Sequence, residues 1–148
     1  MDLKQWIYQK IPAIKNFEFD IQSLKPGFIN LRVPLKAHIN HKGTAFGGSL
    51  YNSAVLACYL LVYSELKAVG ESSDSFVISD GTMKYLKPVS GDFEVKVGWS
   101  QVQLDATVKA LRAKKKARWT LFAEIECEGV RCAEFQGRFV LQVAENLS

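Results

Sequence analysis

The sequence predicts an α+β fold, an antiparallel sheet wrapped on one long buried helix, and three observations carry that expectation. From Gly48 to Gly70 the positions Leu50, Tyr51, Ala54, Val55, Ala57, Cys58, Leu61, Val62 and Leu66 leave almost no polar face after Asn52 and Ser53. A helix apolar nearly all round is a buried helix. On either side of it, stretches alternate apolar and polar residues with the period of two expected of half-buried strands. Glycines and four prolines fall between these stretches, with no repeat or low-complexity tract.

Taken in order, Leu3, Trp6, Ile7 and Ile11 have near-helical spacing, and Pro12 ends a short amphipathic helix. Phe17, Phe19 and Ile21 alternate with charged and polar neighbours, as do Ile29, Leu31, Val33 and Leu35 after the Lys25-Pro26-Gly27 turn, giving a hairpin. After the buried helix, strands are expected at Ser75 to Lys87, Phe93 to Val102, Ala117 to Cys127 and Arg131 to Val143, with a short helix around Leu104, Val108 and Leu111. In the last hairpin, Trp119, Leu121, Ala123 and Ile125 match Ala133, Phe135, Phe139 and Leu141 when Ile125 faces Ala133. That register sets Phe122 beside Gln136 and predicts a three-residue loop with a bulge at Gly129. Cys127 and Cys132 then point to opposite faces.

A chain of 148 residues, 48% hydrophobic and 23% charged, makes one globular domain spanning 1–148 and excludes a disordered or fibrous protein. Three cysteines without a CxxC pair and only two histidines argue against a disulfide framework or a zinc site and fit a reducing, cytoplasmic setting. The first residues lack a secretory pattern, and the most apolar run, Val55 to Tyr63, is short of the ~18 residues of a membrane span. The net charge of +4 is mild, but Lys109, Arg112, Lys114, Lys115, Lys116 and Arg118 crowd one stretch, which suits a phosphate-bearing or acidic partner or simply a solvated helix face. Exposed aromatics are not interleaved with these cations, so nucleic acid is not the expected partner. The tryptophans Trp6, Trp99 and Trp119 fit packing roles.

The stretch Asn40-His41-Lys42-Gly43-Thr44-Ala45-Phe46-Gly47-Gly48-Ser49-Leu50-Tyr51 runs straight into the buried helix. Paired glycines at a helix start allow close approach of a ligand, and the free N–H groups there can polarise a carbonyl oxygen, unless the glycines serve only a tight turn. His41 is a usable base or an idle loop histidine. His38 is expected to be structural. Asp80-Gly81, between alternating segments, is by itself a strong hairpin signal.

From Pro34-Leu35 through the glycine pair, and on to the last strand, the sequence resembles the hotdog-fold thioesterases, in particular the domain found behind a GNAT-type acetyltransferase in some bacteria. Asn40, Gly43 and Gly47-Gly48 are similar to the pattern of phenylacetyl-CoA-thioesterase-type hotdog proteins. Phe46 and Val55 stand where that type carries a histidine and a catalytic aspartate, so its mechanism does not transfer. The stretch Asp80 to Pro88 resembles the thioesterase II type in its Asp, Met, aromatic and Pro positions, which implies a catalytic role for Asp80 as base or nucleophile. In the same way Gln136 inherits the glutamine of the last strand and Ser100 approximates a Ser/Thr of the intervening strand. The resemblance implies a homodimer, or a dimer of dimers, with sites at the interface. It implies hydrolysis of an acyl thioester on coenzyme A or acyl carrier protein, with no metal or separate cofactor and with Lys109, Arg112, Lys114, Lys115 and Lys116 contacting carrier phosphates. An acyl-thioester binding module and a dehydratase of the same fold stay open as alternatives.

Overall fold

The computed structural model describes residues 2–71 and 75–142. Helix α1 (Leu3–Lys10) is capped by Asp2, whose carboxylate accepts from the Gln5 N–H at 2.7 Å, and it gives way at Pro12 to a 3₁₀ turn, as expected. Strands β1 (Asp20–Lys25) and β2 (Phe28–Val33) form the first hairpin. Phe17 and Phe19 are buried but precede β1, and Leu35 has already entered a 3₁₀ turn. The long helix α2 (Gly47–Ala68) is followed by β3 (Ser75–Tyr85), β4 (Phe93–Gly98), α3 (Gln101–Lys114), β5 (Lys116–Cys127) and β6 (Val130–Gln142). All neighbouring strands pair antiparallel in the order β1-β2-β4-β5-β6-β3. One face of this six-stranded sheet packs on α2, whose Ala54, Ala57, Cys58, Leu60, Leu61 and Val62 have no exposed surface. This is the expected α+β hotdog architecture, with β3 at a free edge.

Three details differ from what the sequence predicts, and a fourth cannot be compared. β4 stops at Gly98, because Ser100 caps α3 by accepting from the Gln103 N–H, and Val102 lies 79% exposed on that helix. The predicted end of β6 at Val143 falls outside the described residues. The register of the last hairpin is as expected, with Ile125 opposite Ala133, Ala123 opposite Phe135 and Phe122 opposite Gln136. Its device is different: Glu128 and Gly129 both have positive φ (52° and 77°) and close a two-residue turn, and the extra residue is a bulge at Cys132 on β6. That bulge turns Cys132 inward, so Cys127 and Cys132 are both buried rather than on opposite faces.

The tryptophans pack, Trp6 on Tyr63 and Trp99 on Trp119, each pair with ring centroids 3.5 Å apart. Among the described residues no helix is long and apolar enough to cross a membrane, and no group of His, Cys, Asp and Glu could hold a metal ion.

Candidate active site

Two polar centres flank the edge strand β3. The first is built where the loop after β2 enters α2. Asn40 organises this loop: its Oδ1 accepts from the N–H groups of Lys42 (2.8 Å) and Thr44 (3.2 Å), and its Nδ2 donates to Thr44 Oγ1 (2.8 Å). Gly43 takes the positive φ (77°) that the turn requires, and His41 is exposed near the tip. The Phe46 N–H then donates to the His38 carbonyl, and α2 begins at Gly47 with Phe46 as a cap that offers no side-chain acceptor. The N–H groups of Gly47 and Gly48 make no hydrogen bond among the described residues, and the helix dipole adds partial positive charge there. Tyr85 ties the end of β3 to this point by donating from its hydroxyl to the Gly47 carbonyl at 3.0 Å. His38 is buried, as expected, with Nδ1 3.0 Å from Ser49 Oγ.

The second centre lies on the opposite face of the sheet. Asp80-Gly81 does not form a turn; it sits within β3, just after a bulge at Ser79, and pairs with Arg138-Gly137 of β6. Asp80 faces Arg138, which faces Thr120 of β5; Thr82 faces Gln136, which faces Phe122. Asp80 and Gln136 are therefore diagonal neighbours, roughly 7–8 Å apart by strand geometry. Asp80, Thr82, Phe122, Gln136 and Arg138 are all exposed. No ion pair joins Asp80 to Arg138 among the described residues.

Alternation keeps the centres apart. Gly81 and Tyr85 face α2, and any side chain at Gly81 would collide with the Tyr51 hydroxyl, whereas Asp80 and Thr82 face away. Within one chain, then, the acid and the helix-start donors do not converge. Ser100 joins neither centre, since its hydroxyl caps α3. On β5 the hydroxyl-bearing residue opposite Arg138 is Thr120, which the sequence does not single out. Helix α3 hid it by separating β4 from β5, and only the strand pairing reveals it.

The basic cluster divides. Arg112 pairs with Glu71 at 2.5 Å and donates to the Val69 carbonyl at the end of α2, which makes it a structural tie. Lys109, Lys114, Lys115 and Lys116 are exposed and form no ion pair among the described residues. Lys116 and Arg118 lie on the outward face of β5, the rows immediately before Thr120, so cations lead along the strand toward Asp80. A cavity of about 870 Å³ lined by Trp6, Tyr59, Tyr63, Leu66 and Phe76 contains neither centre. Burial pushes the Cys58 and Cys132 thiols up, which removes them as ready nucleophiles.

Residues 1–143 match the model of the family described as "Putative thioesterase (yiiD_Cterm)". The chain belongs to this thioesterase family. Among solved structures it is similar to the "putative thioesterase" of Shewanella oneidensis, at 29% identity over 95% of each chain with a TM-score of 0.85. It is also similar to a protein of unknown function from Chlorobaculum tepidum, at 31% identity over 96% of this chain and 93% of that one, TM-score 0.88. A "probable thioesterase" from Pseudomonas aeruginosa, 21% identical over 95% of this chain and 93% of that one, has the same fold with a TM-score of 0.80. No curated protein matches the chain.

Proposed function

We propose that this thioesterase-family protein hydrolyses acyl thioesters carried on coenzyme A or acyl carrier protein, as a homodimer whose site is completed across the subunit interface. The observation that carries this reading is the separation of the two centres in one chain: the Asp80 carboxylate lies on the outward face, while the N–H groups of Gly47 and Gly48 lie at the helix start on the other side of the sheet. Each is ringed by apolar side chains left in water. Val77 (51% exposed) and Phe122 (58%) flank Asp80 and Gln136, while Ile39, Phe46, Tyr85 and Leu86 surround the helix start. Such patches are what a second copy covers, and in a two-fold dimer the outward centre of one copy meets the helix start of the other twice.

In that arrangement the Asp80 carboxylate takes a proton from a water held by the Gln136 amide and the Thr120 hydroxyl. The resulting hydroxide attacks the thioester carbonyl, and the oxyanion forms against the N–H groups of Gly47 and Gly48. Collapse expels the carrier thiolate, which takes the proton from Asp80, leaving a carboxylic acid and a free thiol. Lys109, Lys114, Lys115, Lys116 and Arg118 would draw the phosphates of coenzyme A, or the acidic surface of a carrier protein, toward β5.

A panel of acyl-coenzyme A and acyl-carrier-protein thioesters assayed for free thiol tests the reading. Turnover of at least one class is the expected result, and tight binding without thiol release would reassign the protein as a binding module. Sedimentation at micromolar concentration should show at least a dimer; a fully active monomer contradicts the shared site.

A further inference from the structure

Ser49 is the third residue of α2, directly after the two glycines whose N–H groups are free. Helical side chains lean back toward the N-terminus, so its hydroxyl projects toward the helix start rather than along the helix. Among the described residues its one partner is His38, whose Nδ1 lies 3.0 Å from Ser49 Oγ. His38 is 6% exposed, held between the Phe17 ring (centroids 4.4 Å apart) and the Phe93 ring (6.5 Å). Its other ring nitrogen, Nε2, is buried with no hydrogen-bond partner among the described residues.

That orphan nitrogen decides which way the hydrogen bond runs. A neutral imidazole carries one N–H. Placed on Nε2, the hydrogen would be a buried donor without an acceptor, the rarer and costlier kind of unpaired group. Placed on Nδ1, it is used by Ser49, and Nε2 keeps only an unshared pair. We assign the Nδ1–H tautomer on this ground: His38 donates to Ser49 Oγ. The Ser49 hydroxyl hydrogen is then turned away from the ring, and it has no other hydrogen-bond partner among the described residues.

Resting on the thioesterase reading above, we propose that Ser49 is a carbonyl-binding residue of the thioester site, a third donor beside the N–H groups of Gly47 and Gly48, and that His38 is the positioning residue that aims it. The inference stands on the His38–Ser49 pair and the unpartnered Nε2, observations independent of the helix end itself.

The test uses the purified full chain and four proteins: wild type, Ser49→Ala, His38→Asn and His38→Leu, with thermal unfolding of each as the folding control. Loss of one preorganised donor lowers kcat by about 10²-fold, so Ser49→Ala should fall by that amount with KM little changed. In His38→Asn the side-chain NH₂ sits where Nδ1–H was and still donates to Ser49, so kcat should stay within roughly threefold of wild type. His38→Leu removes the donor and should fall to the Ser49→Ala level. Wild-type kcat in Ser49→Ala overturns the proposal. So does a folded His38→Asn as inactive as His38→Leu, because the imidazole would then be taking a proton from Ser49 instead of donating one.

Should the wild-type protein release no thiol from any thioester, the hydrolysis reading fails separately and binding decides. The probes are a coenzyme A ketone analogue with a methylene in place of the sulfur, and S-ethyl coenzyme A, which lacks the carbonyl. Ser49→Ala should weaken the ketone about tenfold and leave the thioether unchanged. Equal binding of both probes to wild type and variant overturns the inference.

Discussion

Strand β3 presents two faces that do different work. Toward α2 its residues make room: Gly81 admits Tyr51, and Tyr85 reaches back to the first carbonyl of the helix. Away from α2 the alternate residues carry chemistry, with Asp80 set against Arg138 and Thr82 against Gln136. A period of two thus writes half of each centre into one edge strand. The lesson is that neighbouring positions in the chain, here Asp80 and Gly81, can belong to opposite halves of a site that no single copy assembles.

The largest effect should come from the outward face. Asp80→Asn keeps size and shape but removes the proton acceptor, so kcat should fall by about 10²–10⁴-fold while the unfolding midpoint is unchanged. Wild-type thiol release by the Asn variant would strip the outward face of its chemistry and leave the helix start to act alone.

Gly47→Pro probes the inward face. Proline at the first helical position fixes a backbone already suited to it, because Phe46 has ψ 132°, compatible with a following proline, and the Gly47 N–H donates no hydrogen bond among the described residues. The change deletes one N–H and adds a ring whose Cβ meets the Tyr85 ring at 3.4 Å, an ordinary van der Waals contact. A fall in kcat of about 10²-fold with KM nearly constant is expected, and an unchanged kcat would move the oxyanion away from the helix start.

Smaller and different in kind is the effect of charge. Reversing Lys109, Lys114, Lys115 and Lys116 together should raise KM roughly three- to tenfold, flatten its salt dependence and leave kcat alone. Arg112 is excluded from that set because its guanidinium ties Glu71 and the end of α2 together. A KM indifferent to both salt and reversal would make these lysines a solubility feature.

Most of the architecture was legible in the sequence because burial imposes period. The all-round apolar character of α2 and the alternation of β5 and β6 correspond to side chains that the structure buries completely, such as Leu61, Ile125 and Phe139. Register followed from the same logic: only one offset puts Ile125 on Ala133. Details set by single backbone conformations were less legible. The turn at Glu128-Gly129 requires positive φ at a glutamate, which composition does not announce, and the compensating bulge moved to Cys132. Ser100 was misplaced because a cap and a strand end look alike until α3 is seen to start there. Of the candidate site, Asp80 and Gln136 do come together, and Gly47 and Gly48 do present free donors. Their separation by the sheet was hidden, since parity is fixed by the Ser79 bulge and not by spacing alone. Thr120 and the His38–Ser49 pair carry no sequence motif; only pairing and burial bring them forward.

The claim that the site is shared by two copies is tested most directly by mixing two inactive variants. Asp80→Asn copies retain the helix start, and Gly47→Pro copies retain the acid. Unfolded together in equal amounts and refolded, they pair at random, half of the dimers are mixed, and each mixed dimer has one intact site. Recovery of about a quarter of wild-type kcat per subunit is therefore the expected result, while either variant refolded alone stays inactive. A mixture no more active than its parents, with mixed dimers demonstrated, would contradict the account and return the whole reaction to a single chain.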